Sequence, residues 1–127
     1  MKLLKKQRNA SDLNKTIRLL NPPPQSISAV YQNLAEAYND LYKFPEALSS
    51  LLKAYELNPN DTLMMYKIGS QYDYKIKNKP LALKYYNDFM KTRPPKKENQ
   101  GNPLVISYYD VAERRILELK KESSSNR

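Results

Sequence analysis

The sequence has no cysteine and no histidine among its 127 residues. Without these two residue types it can form no disulfide framework, no thiolate site or common zinc site, and no Ser-His or Cys-His pair for nucleophilic catalysis. Glycine occurs only twice, which argues against many tight hairpins, because those turns rely on glycine for positive φ. The absence of cysteine and histidine thus removes the common nucleophilic pairs and zinc sites, and we expect a protein that is not an enzyme and that holds no metal and no cofactor.

Long hydrophobic runs are also absent from the sequence, since no stretch approaches the roughly 18 apolar residues of a membrane-spanning helix. Residues 1–8 are basic, but no apolar run follows them, so they lack the pattern of a secretory signal. For a complete chain, we therefore expect a cytoplasmic location and no transmembrane segment.

Charge is abundant but unevenly distributed, and the net charge is +9. Residues 28–61 carry two Lys or Arg against five Asp or Glu, whereas residues 75–97 carry eight against one. Such a basic run can bind phosphates or acidic lipid, although its commoner meaning is a solvated face. The run supports one alternative function, that of a basic docking domain for nucleic acid or an anionic surface.

An internal repeat is the strongest pattern in the chain. Four residues recur after 34 positions, namely Tyr31, Leu34, Ala35 and Tyr38, followed by Met65, Ile68, Gly69 and Tyr72. Four more recur after 35 positions, namely Ala47, Leu51, Ala54 and Pro59, followed by Ala82, Tyr86, Phe89 and Pro94. The second unit therefore contains one extra residue, which we expect in the turn around residues 76–79.

Within each period, the apolar residues follow the three- and four-residue steps of a helix face. The first unit is predicted to contain two helices, the first capped by Ser26 or Ser28 and the second beginning at Pro45. The predicted segments are a leading helix within residues 1–24, a first unit over 28–61, a second unit over 62–95, a trailing capping helix over 103–122, and a frayed tail over 123–127.

This spacing resembles the tetratricopeptide repeat, whose pattern is Trp-x2-Leu-Gly-x2-Tyr, then Ala-x3-Phe, a second Ala and a closing Pro. The resemblance covers residues 28–95; Phe89 replaces a small Ala, and Arg115 in the trailing helix stands where Tyr is expected. It implies an all-α fold, namely a right-handed α-solenoid of antiparallel helix pairs with flanking helices. The leading segment would then be the second helix of a partial earlier repeat.

The resemblance also implies a function in protein–protein binding, as a scaffold whose concave groove takes a peptide or helix of a partner. By position, the partner-binding residues are Gln32, Glu36, Asn39, Tyr66, Ser70, Asp73, Tyr74 and Tyr109. Tyr66 and Tyr74 lie two turns apart on one helix face, and tyrosine is favoured at binding hot spots. These two are the leading candidates for contact with a partner.

One subset of the family grips the carboxylate tail of chaperones with Lys, Asn and Arg side chains, because a carboxylate needs charged or amide donors. In this sequence the corresponding positions hold Gln32, Glu36, Lys67, Ile106 and Asp110. We expect an acidic groove, which would repel a carboxylate. Chaperone tails are therefore not expected among the partners.

Overall fold

The computed structural model describes residues 21–95 and 103–125. Within these ranges the chain is helical and contains no strand, which confirms the all-α prediction. The helices are α1 (Pro24–Asp40), α2 (Phe44–Leu57), α3 (Leu63–Ser70), α4 (Lys79–Met90) and α5 (Pro103–Ser125). The predicted leading helix lies outside the described residues as far as residue 20. In these ranges no helix combines the length and the apolar character needed to cross a bilayer.

Proline lies in the first turn of α1, α2 and α4, where its fixed φ suits a helix and its missing N–H costs no hydrogen bond. Because Pro24 begins α1, the predicted caps Ser26 and Ser28 both lie inside the helix. Ser28 is fully buried, and its hydroxyl donates a hydrogen bond of 2.8 Å to the carbonyl oxygen of Ala54 in α2. At the other end of the chain, α5 continues to Ser125, past the predicted end at residue 122.

The extra residue of the second unit lies inside a helix. After Ser70, α3 continues as a π-helical turn over Gln71–Ile76, and such a turn accommodates one more residue than an α-helical turn. A left-handed residue follows the first helix of each unit, Tyr42 in one and Lys77 in the other. These two residues are already 35 positions apart, so the insertion precedes Lys77. The expectation that the turn itself is longer was wrong.

The first helices of the two units lie side by side and run in the same direction. Gln32 of α1 contacts Lys67 of α3, and Asn39, later in α1, contacts Gln71, later in α3. The contacts between α3 and α5 keep the same order, Tyr66 with Tyr108 and Asp73 with Arg115. The three helices α1, α3 and α5 therefore form one parallel row.

Consecutive helices, by contrast, run antiparallel. Tyr66 in α3 contacts Phe89 in α4, whereas Tyr72, later in α3, contacts the earlier Tyr85. The same reversed order relates α4 to α5, with contacts of Phe89 with Tyr109 and of Lys79 with Glu122. The pairs α3–α4 and α4–α5 are therefore both antiparallel.

Two apolar clusters hold the helices together. The cluster shared by α1, α2 and α3 contains Ala35, Ala47, Leu51, Ala54, Met64 and Ile68. The cluster centred on α4 and α5 contains Ala82, Tyr86, Phe89, Tyr109, Ala112, Ile116 and Leu119. Between them, Gly69 packs so closely on α4 that a Cβ atom would lie 2.9 Å from Cδ1 of Tyr86. The small residue is therefore required for this close helix crossing.

Candidate functional site

A pocket of about 490 Å³ opens between α1 and α3. Six of the predicted partner-binding residues line it, namely Gln32, Glu36, Asn39, Tyr66, Ser70 and Tyr74. They lie on α1, on α3 and on the π-helical turn that continues α3. On each of these helices they recur at three- and four-residue steps, so they share the face that lines the pocket. The structure thus brings most of the predicted site together in one cavity.

The pocket has an apolar floor and polar walls. Ala35 and Leu51 form part of the lining, and both are buried members of the first core cluster. Lys67, Gln71 and Lys75 also line it, and the sequence reasoning did not include them in the site. The signal that could have found them is their spacing, because they follow one another at four-residue steps along the same face of α3 and its π-helical turn.

Side-chain hydrogen bonds across the pocket fix the distance between α1 and α3. Lys67 donates to Oε1 of Gln32 at 2.9 Å. The amides of Asn39 and Gln71 bond reciprocally, at 3.1 Å and 2.9 Å, and Gln71 also donates to the carbonyl oxygen of Phe44 at 3.2 Å. Because Gln71 is buried and all of these donors have partners, this pair acts as a rigid bridge at one end of the pocket.

Tyr66 sits in an aromatic cluster. Its ring centroid lies 4.9 Å from that of Tyr108, 5.6 Å from that of Phe89 and 5.9 Å from that of Tyr86. Burial raises the pKa of the Tyr66 hydroxyl, and the neighbouring Tyr74 and Tyr108 raise it further. The ring is therefore held in place and its hydroxyl stays protonated at neutral pH, so it can donate a hydrogen bond.

Tyr74 is the more accessible of the two tyrosines, with 50% of its surface exposed. The guanidinium carbon of Arg115 in α5 lies 5.3 Å from its ring centroid, which is within the range of a cation–π contact. This contact positions the ring at the mouth of the pocket without covering it. Tyr74 therefore combines exposure with a defined orientation.

Asp73 is not available to a partner, contrary to its predicted role. It is only 3% exposed, and its carboxylate accepts hydrogen bonds from Arg115 at 2.6 Å and 2.9 Å and from the Tyr86 hydroxyl at 3.1 Å. The hydrogen bond to Asp73 raises the pKa of Arg115, and burial together with this carboxylate raises that of Tyr86. The side chain joins α5 to the repeats.

Tyr109 is also excluded from the groove, although it was predicted to contact the partner. It is 3% exposed, and its ring stacks on Phe89 with centroids 4.3 Å apart. Its hydroxyl donates to the carbonyl oxygen of Thr92 at 3.1 Å. The physical reason is that this face of α5 packs on α4, so that Tyr109 belongs to the core.

The pocket is not acidic, which corrects the expectation from the sequence. Glu36 is the one carboxylate among the residues found to line it, and Lys67 and Lys75 are lysines. Asp73, which would have added negative charge, is neutralised by Arg115. Electrostatic repulsion is therefore no reason to exclude ligands that carry a carboxylate.

The basic run of residues 75–97 is partly neutralised where the structure describes it. Lys79 pairs with Glu122 at 2.6 Å, and the hydrogen bond from Lys79 lowers the pKa of that carboxyl. Lys91 pairs with Asp88 at 3.4 Å. Arg93 pairs with two carboxylates of α5, at 2.8 Å and 3.0 Å. These ion pairs reduce the positive charge that the run presents to solvent.

The described residues contain no group of three or more acidic side chains that could hold a metal ion. No protein-family model and no curated protein matches the chain.

Proposed function

We propose that the chain is a protein-binding module, built as a right-handed solenoid of tetratricopeptide-like helix pairs, and that the pocket between α1 and α3 takes a segment of a partner protein. The observation that carries this proposal is the convergence of Gln32, Glu36, Asn39, Tyr66, Ser70 and Tyr74 on one cavity. The repeat period and the groove positions of the tetratricopeptide pattern select those residues from the sequence alone.

The shape and chemistry of the pocket suit an amphipathic peptide. Its volume of about 490 Å³ is within the usual range of roughly 300–1,000 Å³ for ligand sites. The buried Ala35 and Leu51 offer an apolar surface for one inserted side chain, while Glu36 and Lys67 flank it with charges of both signs. A partner segment would place an apolar residue between Tyr66 and Tyr74, with polar residues on either side.

Preorganisation of the two tyrosines favours binding. Tyr66 is fixed by its aromatic neighbours, and Tyr74 by Arg115. Ordering a free side chain on binding costs about 0.5–1.5 kcal/mol, and a side chain that is already ordered avoids most of that cost. Tyrosine on a rigid support is typical of interface hot spots.

Tyrosine-to-alanine variants test the proposal. A random-peptide display library screened against the full chain supplies the ligands, and Tyr66→Ala and Tyr74→Ala are then measured by calorimetry. We expect each to weaken binding by about 1–2 kcal/mol, or about 5- to 30-fold in Kd. The control is Tyr42→Ala, because Tyr42 is 81% exposed in the α1–α2 turn and does not line the pocket.

The alternative function, electrostatic docking, predicts the opposite pattern. In that case replacement of Lys96 and Lys97 by Gln would abolish binding of the selected ligands, and the Tyr66 and Tyr74 variants would bind them normally. The affinity for these ligands would also fall steeply with salt concentration, because counterions are released. A library that yields no ligand dependent on Tyr66 or Tyr74 would also contradict the proposed pocket.

A further inference from the structure

Helix α1 carries an apolar face that nothing in the described residues covers. Val30 is 63% exposed and Leu34 is 38% exposed, and Ala37 is exposed as well. These three residues follow a four- and a three-residue step and so share one side of the helix. A contiguous apolar stripe of this kind marks a contact surface, whereas single exposed apolar residues are ordinary.

The residues of α3 that are equivalent to Val30 and Leu34 are buried. Met64 and Ile68 lie 34 positions after Val30 and Leu34, and both are 0% exposed. They are buried in the cluster to which α2 contributes Ala47, Leu51 and Ala54. The two faces therefore differ in one respect: α3 packs against the helix that precedes it in the chain, α2, and α1 has no preceding helix among the described residues.

We propose that residues 10–20 of the same chain cover this face of α1, as α2 covers α3. The residues that lie 34 positions before Ala47, Leu51 and Ala54 are Leu13, Ile17 and Leu20. All three are apolar, the residues between Leu13 and Ile17 are polar, and the spacing of four and three is that of a helix face. The repeat thus supplies a complementary apolar stripe from this chain.

The short connection specifies the direction of packing. Only residues 21–23 separate this segment from α1, and so short a link between two packed helices requires an antiparallel hairpin. The hydrogen bond of 3.2 Å from Gln71 to the carbonyl oxygen of Phe44 marks the register of α2 against α3. Shifted by 34 positions, it pairs residue 37 with residue 10, which places Ile17 opposite Val30 and Leu13 opposite Leu34.

An engineered disulfide tests this register, and the chain is well suited to it because it contains no native cysteine. In the full chain, the pair Ile17→Cys with Val30→Cys is compared with a control pair, Lys15→Cys with Val30→Cys. Residue 15 corresponds to Ser49, which is exposed on α2, so its side chain should point away from α1. In a glutathione redox buffer, we expect the first pair to form an intramolecular disulfide at least about tenfold more readily than the control pair.

A second measurement does not depend on disulfide geometry. The single variant Leu34→Cys is expected to react with a maleimide at least about tenfold more slowly than Ser49→Cys, since burial protects a thiol. Adding Ile17→Asp to Leu34→Cys should restore fast labelling. Equal labelling of all these variants, or equal disulfide yield in the two pairs, would overturn the proposal.

Other occupants of the face give distinct results. If a second copy of the chain covered it, Val30→Cys alone would form disulfide-linked dimers, and protection of Leu34→Cys would disappear on dilution. If a different protein covered it, the thiols of the purified chain would be unprotected. Either outcome contradicts an intramolecular cover, and neither affects the test of the pocket between α1 and α3.

Discussion

The ion pair of Asp73 with Arg115 is the contact whose removal should affect stability most. The Asp73 side chain is 1% exposed and that of Arg115 is 18% exposed, with the closest atoms 2.6 Å apart. The guanidinium donates twice to this carboxylate. It is also the contact that joins α5 to the π-helical turn, so its loss should be felt across the second half of the structure.

We expect Arg115→Met to destabilise the protein by about 3–5 kcal/mol. Methionine preserves much of the length and apolar character of the side chain but leaves the Asp73 carboxylate buried, with the Tyr86 hydroxyl as its remaining donor. The cost comes mainly from that uncompensated charge. A variant that removes both charges, Asp73→Leu with Arg115→Met, should therefore be more stable than Arg115→Met alone.

Arg93→Met provides a matched control in the same region. Arg93 also pairs with α5, through Asp110 and Glu113, but its side chain is 30% exposed and those carboxylates are 58% and 59% exposed. Exposed ion pairs contribute only about 0–1 kcal/mol. Urea unfolding followed by circular dichroism measures both variants. If Arg115→Met costs no more than Arg93→Met, the pair of Asp73 with Arg115 is not the buried contact that we infer.

Two further changes test other parts of the structure. Gly69→Leu should destabilise by about 1–3 kcal/mol through overpacking against Tyr86, whereas Gln32→Leu at the pocket should change the melting temperature little; equal melting would contradict the assigned helix crossing. Burial and Asp73 raise the pKa of Tyr86 above its ordinary value of 10.0, so the stability linked to its protonated hydroxyl is complete below about pH 10 and is lost as the pH rises further. The melting temperature of Tyr86→Phe should then fall less steeply with alkaline pH than that of the unsubstituted protein. Parallel curves of melting temperature against pH for the two proteins would refute this linkage.

The residues of the pocket on α1 and α3 could be predicted because helix periodicity is a local property. Once Tyr31 and Tyr38 are assigned to the packed side of α1, residues one step around the helix, such as Gln32 and Asn39, must lie at its edge. The same reasoning from Met65 and Gly69 selects Tyr66 and Ser70. No information about distant parts of the chain is needed for that step, and all of these pocket residues line the cavity.

The failures at Asp73 and Tyr109 have a different origin. Asp73 occupies the same position in its unit as Asn39, yet Asn39 borders the pocket whereas Asp73 is buried. The two residues differ in the neighbour that they contact. Asn39 in α1 contacts the neutral Gln71, whereas Asp73 contacts Arg115 in α5, 42 residues away in sequence. A repeat pattern assigns equal roles to equivalent positions, so it cannot distinguish a free carboxylate from one whose partner lies in a flanking helix.

The π-helical turn links the repeat count to this ion pair. The change in period from 34 to 35 shows that one residue has been added after Tyr72, but counting does not distinguish a longer loop from a wider helical turn. In the structure the added residue lies within Gln71–Ile76, the segment that contains both Asp73 and Tyr74. This segment directs the Asp73 carboxylate towards Arg115 while Tyr74 remains half exposed at the pocket. The insertion that interrupts the repeat therefore occurs where α5 is attached and where the candidate binding surface ends.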